Sequence, residues 1–292
     1  MSIPHPPRRL GSLAALALSL ALILCLAACS PQPNALAPLD VYVLNVGKAD
    51  AIIVGCGGQW MLVDAGLEET SGYVTAAMRA LNIDSLTCAV ATHPDKDHIG
   101  GMSAAIRAIP TRRLYEPPMR LDNKPSRAMR DALSQTGTPS STVRSGDSWM
   151  LGDAGVHVIA PGKAALELNS ENEASLVLMI THGSKRILLE ADAQSVSENE
   201  MLSVYDDLRA DVLKVAHHGS DKSTGEAFLA AVNPSIAVIS TGERADGKDS
   251  DALPAPSTLS RLKSIGAAVY RTDVDGDIHI HSDGETITVA AE

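Results

Sequence analysis

Apolar and polar positions follow two rhythms along this chain. Leu39–Val46 and Ala51–Val54 are short β-rich runs, and Gln59–Val63 follows a turn at Gly57-Gly58. Ser71–Leu81 has helical spacing, with Tyr73, Ala77 and Leu81 on one face. Leu86–Ala91 is a continuous apolar strand, the pattern of a strand buried on both faces. A helix is predicted from Ile99 to about Ile109, and residues 120–150 read as polar and irregular apart from a helix near Ser126–Leu133. In the second half, strands are predicted at 156–160, 174–181, 186–190, 211–215, 235–240, 277–281 and 285–289. Helices are predicted there at 195–208, 224–231 and 256–265. Two strand-rich halves, each with its own helices, predict an α/β chain whose two sheets pack face to face between helices.

The N-terminus breaks this rhythm. Arg8 and Arg9 precede an apolar run from Leu10 to Leu24, shorter than the ~20 residues a membrane-spanning helix needs. It ends in Leu26-Ala27-Ala28-Cys29, which resembles the lipobox of bacterial lipoproteins. The expectation is a signal peptide over 1–28 and a Pro-rich tether over 29–38. One domain over 39–292 would then hang from a lipid on Cys29 at the outer face of the cell membrane. Of the four cysteines, Cys25 lies in the leader and Cys29 is the lipid site, leaving Cys56 and Cys88 as expected buried thiols.

Charge narrows the partners. Removing Arg8 and Arg9 with the leader takes the net charge from −11 to −13, which works against holding nucleic acid by general electrostatics. Arg112, Arg113, Arg120, Lys124, Arg127 and Arg130 are the one basic cluster, read as a solvated helix face.

The chemistry concentrates in Thr92-His93-Pro94-Asp95-Lys96-Asp97-His98-Ile99-Gly100-Gly101. A buried strand delivers four candidate metal donors within six residues, followed by glycines that let the backbone bend closely around them. Imidazole and carboxylate together suit a divalent metal. The segment resembles the His-x-His-x-Asp-His motif of metallo-β-lactamase-fold hydrolases, with Asp95 in place of the second histidine. Further segments are similar to one branch, the C-terminal hydrolase domain of ComEC-type DNA-uptake proteins and free-standing relatives such as phosphorylcholine esterases. They are Leu44–Ala51, Leu62–Gly66, Glu171–Val177, Val212–Ser220 and Val269–Asp273, in the order of that branch.

The resemblance implies a single-domain αββα sandwich with two adjacent divalent ions, zinc or manganese, at one edge. His93 and Asp95 match first-metal positions, Asp97 and His98 second-metal positions, and Asp192 the carboxylate between them. His217-His218 matches the last ligand position; His217 is the expected ligand, and His218 the residue facing substrate. Catalysis is expected from Asp97, Asp192 and His218. Asp64 is implied to support the metal loop, Asp50 to lie near it, and Asn172 and Ser175 to occupy the region of the missing lactamase-type third histidine. Lys48 is expected to be solvated. Poverty in nitrogen at the first site favours manganese more than a three-histidine site would. Leu253-Pro254-Ala255-Pro256 stands where relatives carry Gly-His-Pro-His-Pro, so both of those histidines are gone.

The remaining histidines read as bland. His157 is placed on the polar face of a strand, His182 in a hairpin turn, and His279 and His281 on an exposed face of the closing hairpin. Met78, Met102 and Met179 read as core. The leading substrate is a small phosphodiester or phosphate ester. The rivals are a lactam, lactone or thioester hydrolase, a DNA-uptake type nuclease, and a degenerate envelope lipoprotein without activity.

Overall fold

A computed structural model of the chain describes residues 1–2, 35–245 and 252–291. Cys29 and residues 3–28 of the expected leader lie outside the described residues, and among the described residues no helix is long and apolar enough to cross a membrane.

The first sheet is built mostly from the N-terminal half. Its strands are β1 (Leu39–Val43), β2 (Ala51–Cys56), β3 (Gln59–Ala65), β4 (Cys88–Val90), β5 (Leu114–Glu116) and β6 (Ser140–Thr142). Between them run helices α1 (Ser71–Ala80), α2 (Lys96–Ile99), α3 (Met102–Ala108) and α4 (Lys124–Thr136). The second sheet takes β7 (Ser148–Leu151), β8 (Ala154–Ala160), β9 (Val177–His182), β10 (Lys185–Leu189), β11 (Val212–Lys214), β12 (Ile236–Ile239) and β13 (Ala268–Arg271). Its helices are α5 (Lys163–Glu167), α6 (Ser195–Val204), α7 (Glu226–Val232), α8 (Pro256–Ser264) and α9 (Thr272–Asp275). The closing hairpin, β14 (Ile278–Ser282) and β15 (Ile287–Ala291), returns to the first sheet.

The strand orders are β15-β14-β1-β2-β3-β4-β5-β6 and β13-β12-β11-β10-β9-β8-β7. One apolar cluster joins Val41, Val43, Ile52 and Val63 of the first sheet to Val156, Leu178, Ile187 and Val238 of the second. A second cluster packs Ile53 and Leu62 under Val74, Met78, Ile106 and Met129, and a third packs Leu188 and Leu213 under Met201, Phe228 and Leu262. These clusters are the three interfaces of a helix–sheet–sheet–helix sandwich.

β3, β4, β5 and β6 run parallel, as do β10, β11, β12 and β13. Parallel strands joined by helices gather their carboxyl ends at one edge, where open α/β sheets place ligands. Asp64, His93, Asp192 and His217 all lie at or just beyond such ends.

Several expectations are corrected. The helix expected from Ile99 begins at Lys96 and is interrupted at Gly100-Gly101. A Cβ on Gly101 would stand 2.2 Å from the Ala65 carbonyl oxygen, and one on Gly100 2.7 Å from the Glu68 backbone nitrogen, so close packing of α2 on the β3 loop sets the break. Residues 110–150 hold three strands that their polarity hid. In α1 the buried face is Val74, Thr75 and Met78, with Tyr73 exposed. Lys48 is buried. His182 ends β9 fully buried, with its ring nitrogens contacting Ser282 Oγ and the Ala37 carbonyl. His157 is exposed, and the thiols of Cys56 and Cys88 are free and buried.

Candidate metal centre

The first half of the site is the loop after β4. Asp64, at the end of β3 with φ +55°, directs both carboxylate oxygens into it. Oδ1 accepts from the Thr92 backbone N–H at 2.9 Å; Oδ2 accepts from Thr92 Oγ1 at 2.6 Å and pairs with His98 Nδ1 at 2.7 Å. A carboxylate holding Nδ1 turns Nε2 of the same ring toward the site, the geometry by which carboxylates orient ligating histidines. Asp95 is the N-cap residue of α2, and its carbonyl accepts from the backbone N–H of His98 and Ile99. His93, Asp95, Asp97 and His98 are thus spread over a strand end and one helical turn.

The second half comes from the other sheet. Asp192 follows β10, and its backbone N–H donates to Ser175 Oγ at 3.3 Å. Glu173 caps α6 by accepting from the N–H of Val196 and Ser197. Asn172 enters only through its carbonyl, which accepts from Ser175 N–H. After β11, His217 and His218 both adopt left-handed backbone, φ +50° and +54°. The His217 N–H donates to the Ala191 carbonyl, and His218 Nδ1 donates to the Ser240 carbonyl at 3.0 Å beyond β12.

The two halves converge on Asp192. His98 Nε2 stands 3.2 Å from its Oδ1, while His93 Nε2 and His217 Nε2 stand 3.9 and 3.7 Å from its Oδ2. Asp95 Oδ2 is 3.7 Å from His93 Nε2, and Asp97 Oδ2 is 4.0 Å from His218 Nε2. His93 Nε2, His98 Nε2, His218 Nε2 and Asp192 Oδ1 are buried without hydrogen-bond partners. Orphaned buried polar atoms are rare and costly; His93, His98 and Asp192 offer ligand atoms within 4.8 Å of one another, a cluster that fits a cation taking their lone pairs, with His218 Nε2 beside Asp97. The donor set fits a pair of divalent ions, with one oxygen of Asp192 turned to each group of donors.

Burial divides the histidine pair differently from the expectation. His218 is fully buried with Nδ1 locked, whereas the His217 side chain is 24 % exposed and its Nδ1 lies 3.2 Å from Gln194 Nε2. The ring expected to face substrate is the more enclosed one.

Electrostatics agree with a cation-seeking site. Burial alone would raise the Asp192 carboxyl, but His98, His218 and His93 hold it well below the ordinary range. Burial likewise would lower the His98 imidazole, and the Asp192 and Asp64 carboxylates lift it well above its ordinary value instead. Glu171 shares a hydrogen bond with Asp95, which together with burial pushes its carboxyl up to about 7.

Three participants escaped sequence reading. Arg244 places NH1 3.2 Å from Asp97 Oδ2 from the loop after β12, a connection the strand pattern does not announce. Lys214 is 1 % exposed and donates from Nζ to Asp50 Oδ2 at 2.7 Å, directly beneath His218, whose Nδ1 is 3.6 Å from Asp50 Oδ1. A lysine inside the apolar run Val212–Ala216 was the available sign, since lysine is almost never fully buried unless paired. Glu171, beside Asp95, is the third. The residues replacing the absent histidines also reach this region: the Ala255 N–H donates to the Gly219 carbonyl, and Thr241 Oγ1 donates to the Leu253 carbonyl. The basic cluster, in contrast, is partly neutralised, since Lys124 pairs with Glu68, and Arg127 and Arg130 with Asp122.

Comparison with known proteins agrees with this architecture. ComE operon protein 3 of Bacillus subtilis is 29 % identical over 259 residues, covering 82 % of this chain and 32 % of the relative. The chain therefore spans about a third of that curated relative's length. The metallo-β-lactamase fold protein YhfI from Bacillus subtilis superposes with a TM-score of 0.54 at 12 % identity, over 84 % of this chain and 100 % of that one. CmlA, a diiron β-hydroxylase from Streptomyces venezuelae, does so with a TM-score of 0.55 at 15 % identity, over 82 % of this chain and 53 % of that one. The sequence profile of the metallo-beta-lactamase superfamily matches residues 44–243, and with the sandwich and its paired-donor edge in place, the chain belongs to that superfamily of metal-dependent hydrolases.

Proposed function

We propose that this chain hydrolyses small phosphodiesters or phosphate esters with two divalent ions, zinc or manganese, at the outer face of a membrane to which Cys29 carries the lipid. The observation that carries the reading is the cluster of His93, His98 and Asp192, with ligand atoms within 4.8 Å of one another, together with the buried atoms of these residues and of His218 that have no hydrogen-bond partner. Two ions held there would lower the pKa of a shared water and neutralise charge developing on the ester.

The chain's own residues do the positioning. His93, Asp95 and Asp192 would hold the first ion, while Asp97, His98, Asp192 and His218 would hold the second. Asp64 fixes the His98 ring and the Ser240 carbonyl fixes that of His218, so both present Nε2 as a lone pair. His217, at the rim, is left to touch substrate. Asp97 or Asp192 would orient the attacking water. Arg244 brings a fixed positive charge to the mouth beside Asp97, suited to a phosphate oxygen.

The purified full chain, loaded with manganese or zinc, should cleave a chromogenic phosphodiester faster than long DNA, and should open a cephalosporin barely or not at all. Asp97→Asn should remove the activity. Rapid DNA degradation lost in Asp97→Asn would replace this reading with a nuclease. Absence of turnover on any ester, with one ion or none bound, would establish the degenerate lipoprotein, the reading favoured by Leu253 and Ala255 beside the His217-His218 loop. Cys29→Ser should abolish labelling by a fatty-acid analogue; unchanged labelling would end the anchoring proposal.

A further inference from the structure

A second group of metal-type donors lies away from this edge. β1 and β14 pair antiparallel, with Asp40 opposite His281 and Tyr42 opposite His279. Ile278 and Ile280 of β14 are buried in the core between the sheets. The period of two therefore puts His279 and His281 together on the outer face, with Asp40 between them.

The contacts are close. Asp40 Oδ1 is 2.8 Å from His279 Nε2 and 2.8 Å from His281 Nδ1, and the three donor atoms lie within 4.8 Å of one another. The Tyr42 ring stacks on His279 with centroids 4.3 Å apart and planes 8° from parallel, fixing that imidazole. All three side chains are half-buried, at 24, 24 and 42 % exposure, so a fourth position stays open to water. β14 stands four strand spacings from β4, on the order of 19 Å at the usual interstrand distance, so these donors cannot belong to the centre at the sheet ends.

We propose that Asp40, His279 and His281 bind one additional divalent transition-metal ion of the zinc class, which fastens the first strand to the closing hairpin. Two imidazoles and one carboxylate with an open fourth position form a donor set that zinc accepts. Binding needs no net loss of protons from neutral rings: each imidazole moves its proton to the ring nitrogen facing away, and the facing lone pair goes to the ion. The Asp40 charge then meets a cation rather than two N–H dipoles. Because β1 follows the tether and β14 lies near the C-terminus, the ion would tie together the two ends of the domain.

The test is zinc stoichiometry on the full chain, stripped with chelator, titrated with zinc alone and read by elemental analysis after desalting. His281→Ala and Asp40→Asn should each bind one equivalent fewer than the unmodified chain. His157→Ala, which removes an exposed histidine of the other sheet, should bind the full amount. The same one-equivalent loss should appear when His281→Ala is built into Asp192→Asn, so the outcome stands whether or not the centre at the sheet ends holds metal. Zinc should also raise the melting temperature of Asp192→Asn by more than that of the Asp192→Asn, His281→Ala pair. Asp40→Asn keeps the shape of the site and guards against a folding defect in the alanine variant. Equal zinc content in the unmodified chain, His281→Ala and Asp40→Asn would overturn the proposal.

Discussion

The two loops that build the candidate centre solve the same problem in different ways. The His93–His98 loop places its donors with ordinary backbone, a strand end followed by one helical turn, and hangs them on Asp64. The His217-His218 loop uses two consecutive left-handed residues, uncommon for side chains with a Cβ, and rests on a buried ion pair, Lys214 with Asp50. Donors set by regular geometry can be read from their spacing. Donors set by a turn that only tertiary contacts can hold cannot, because one backbone rotation decides which ring faces inward.

Breaking the support of the second loop should have the largest effect. Lys214→Met leaves Asp50 charged and buried without its partner, an expected loss of about 3–5 kcal/mol in stability, measured by denaturant unfolding. A change under about 1 kcal/mol would mean that the pair does not hold the loop. Next comes the division of labour between its histidines. His218→Ala should lower metal retention and ester hydrolysis by about 100-fold and His217→Ala by about 10-fold, in line with losses on removing groups that hold or orient a metal. The reverse ranking would restore His217 as the inner ligand. Arg244→Ala, which touches the first loop through Asp97, should raise KM for a phosphodiester about tenfold at nearly constant kcat, the scale of one charge-assisted hydrogen bond. An unchanged KM would take Arg244 out of substrate binding.

A change in pH dependence is expected beneath the second loop. Burial, followed by the neighbouring Glu198, pushes the Glu190 carboxyl well above its ordinary 4.5. In the unfolded chain it ionises near that ordinary value, while in the fold it holds its proton to higher pH. Its contribution is therefore fully present below about pH 4.5 and is lost progressively as pH rises toward the folded value. The melting temperature of chelated Glu190→Gln should fall less between about pH 5 and 8 than that of the unmodified chain. Parallel curves would show that Glu190 ionises freely.

How much was legible follows the same division. Alternation and continuous apolar runs exposed most strands, because their burial is a matter of period, and the dense loop after β4 announced its own chemistry. Strands β5 to β7 were hidden because they are short and lie in a polar stretch. Arg244, Glu171 and the Lys214–Asp50 pair were missed because each matters only through a partner far away in sequence, 147 residues for Arg244 and Asp97. His279 and His281 were correctly placed on one face, yet they are half-buried against Asp40, whose contribution depends on strand register across nearly the whole chain.

That register carries a kinetic consequence. β1 sits between β2 and β14, and Asp40 meets His281 across 241 residues of sequence. One flank of the first strand therefore stays open until the end of the chain arrives, and contacts of such separation close slowly because the intervening loop entropy must be overcome first. During synthesis the N-terminal sheet can grow through β2 to β6 but keeps an unprotected edge, the kind of surface that recruits wrong partners. Under the export that the proposed anchoring requires, that delay would be harmless, since β1 and β14 would reach the same side before the last strand has to find the first.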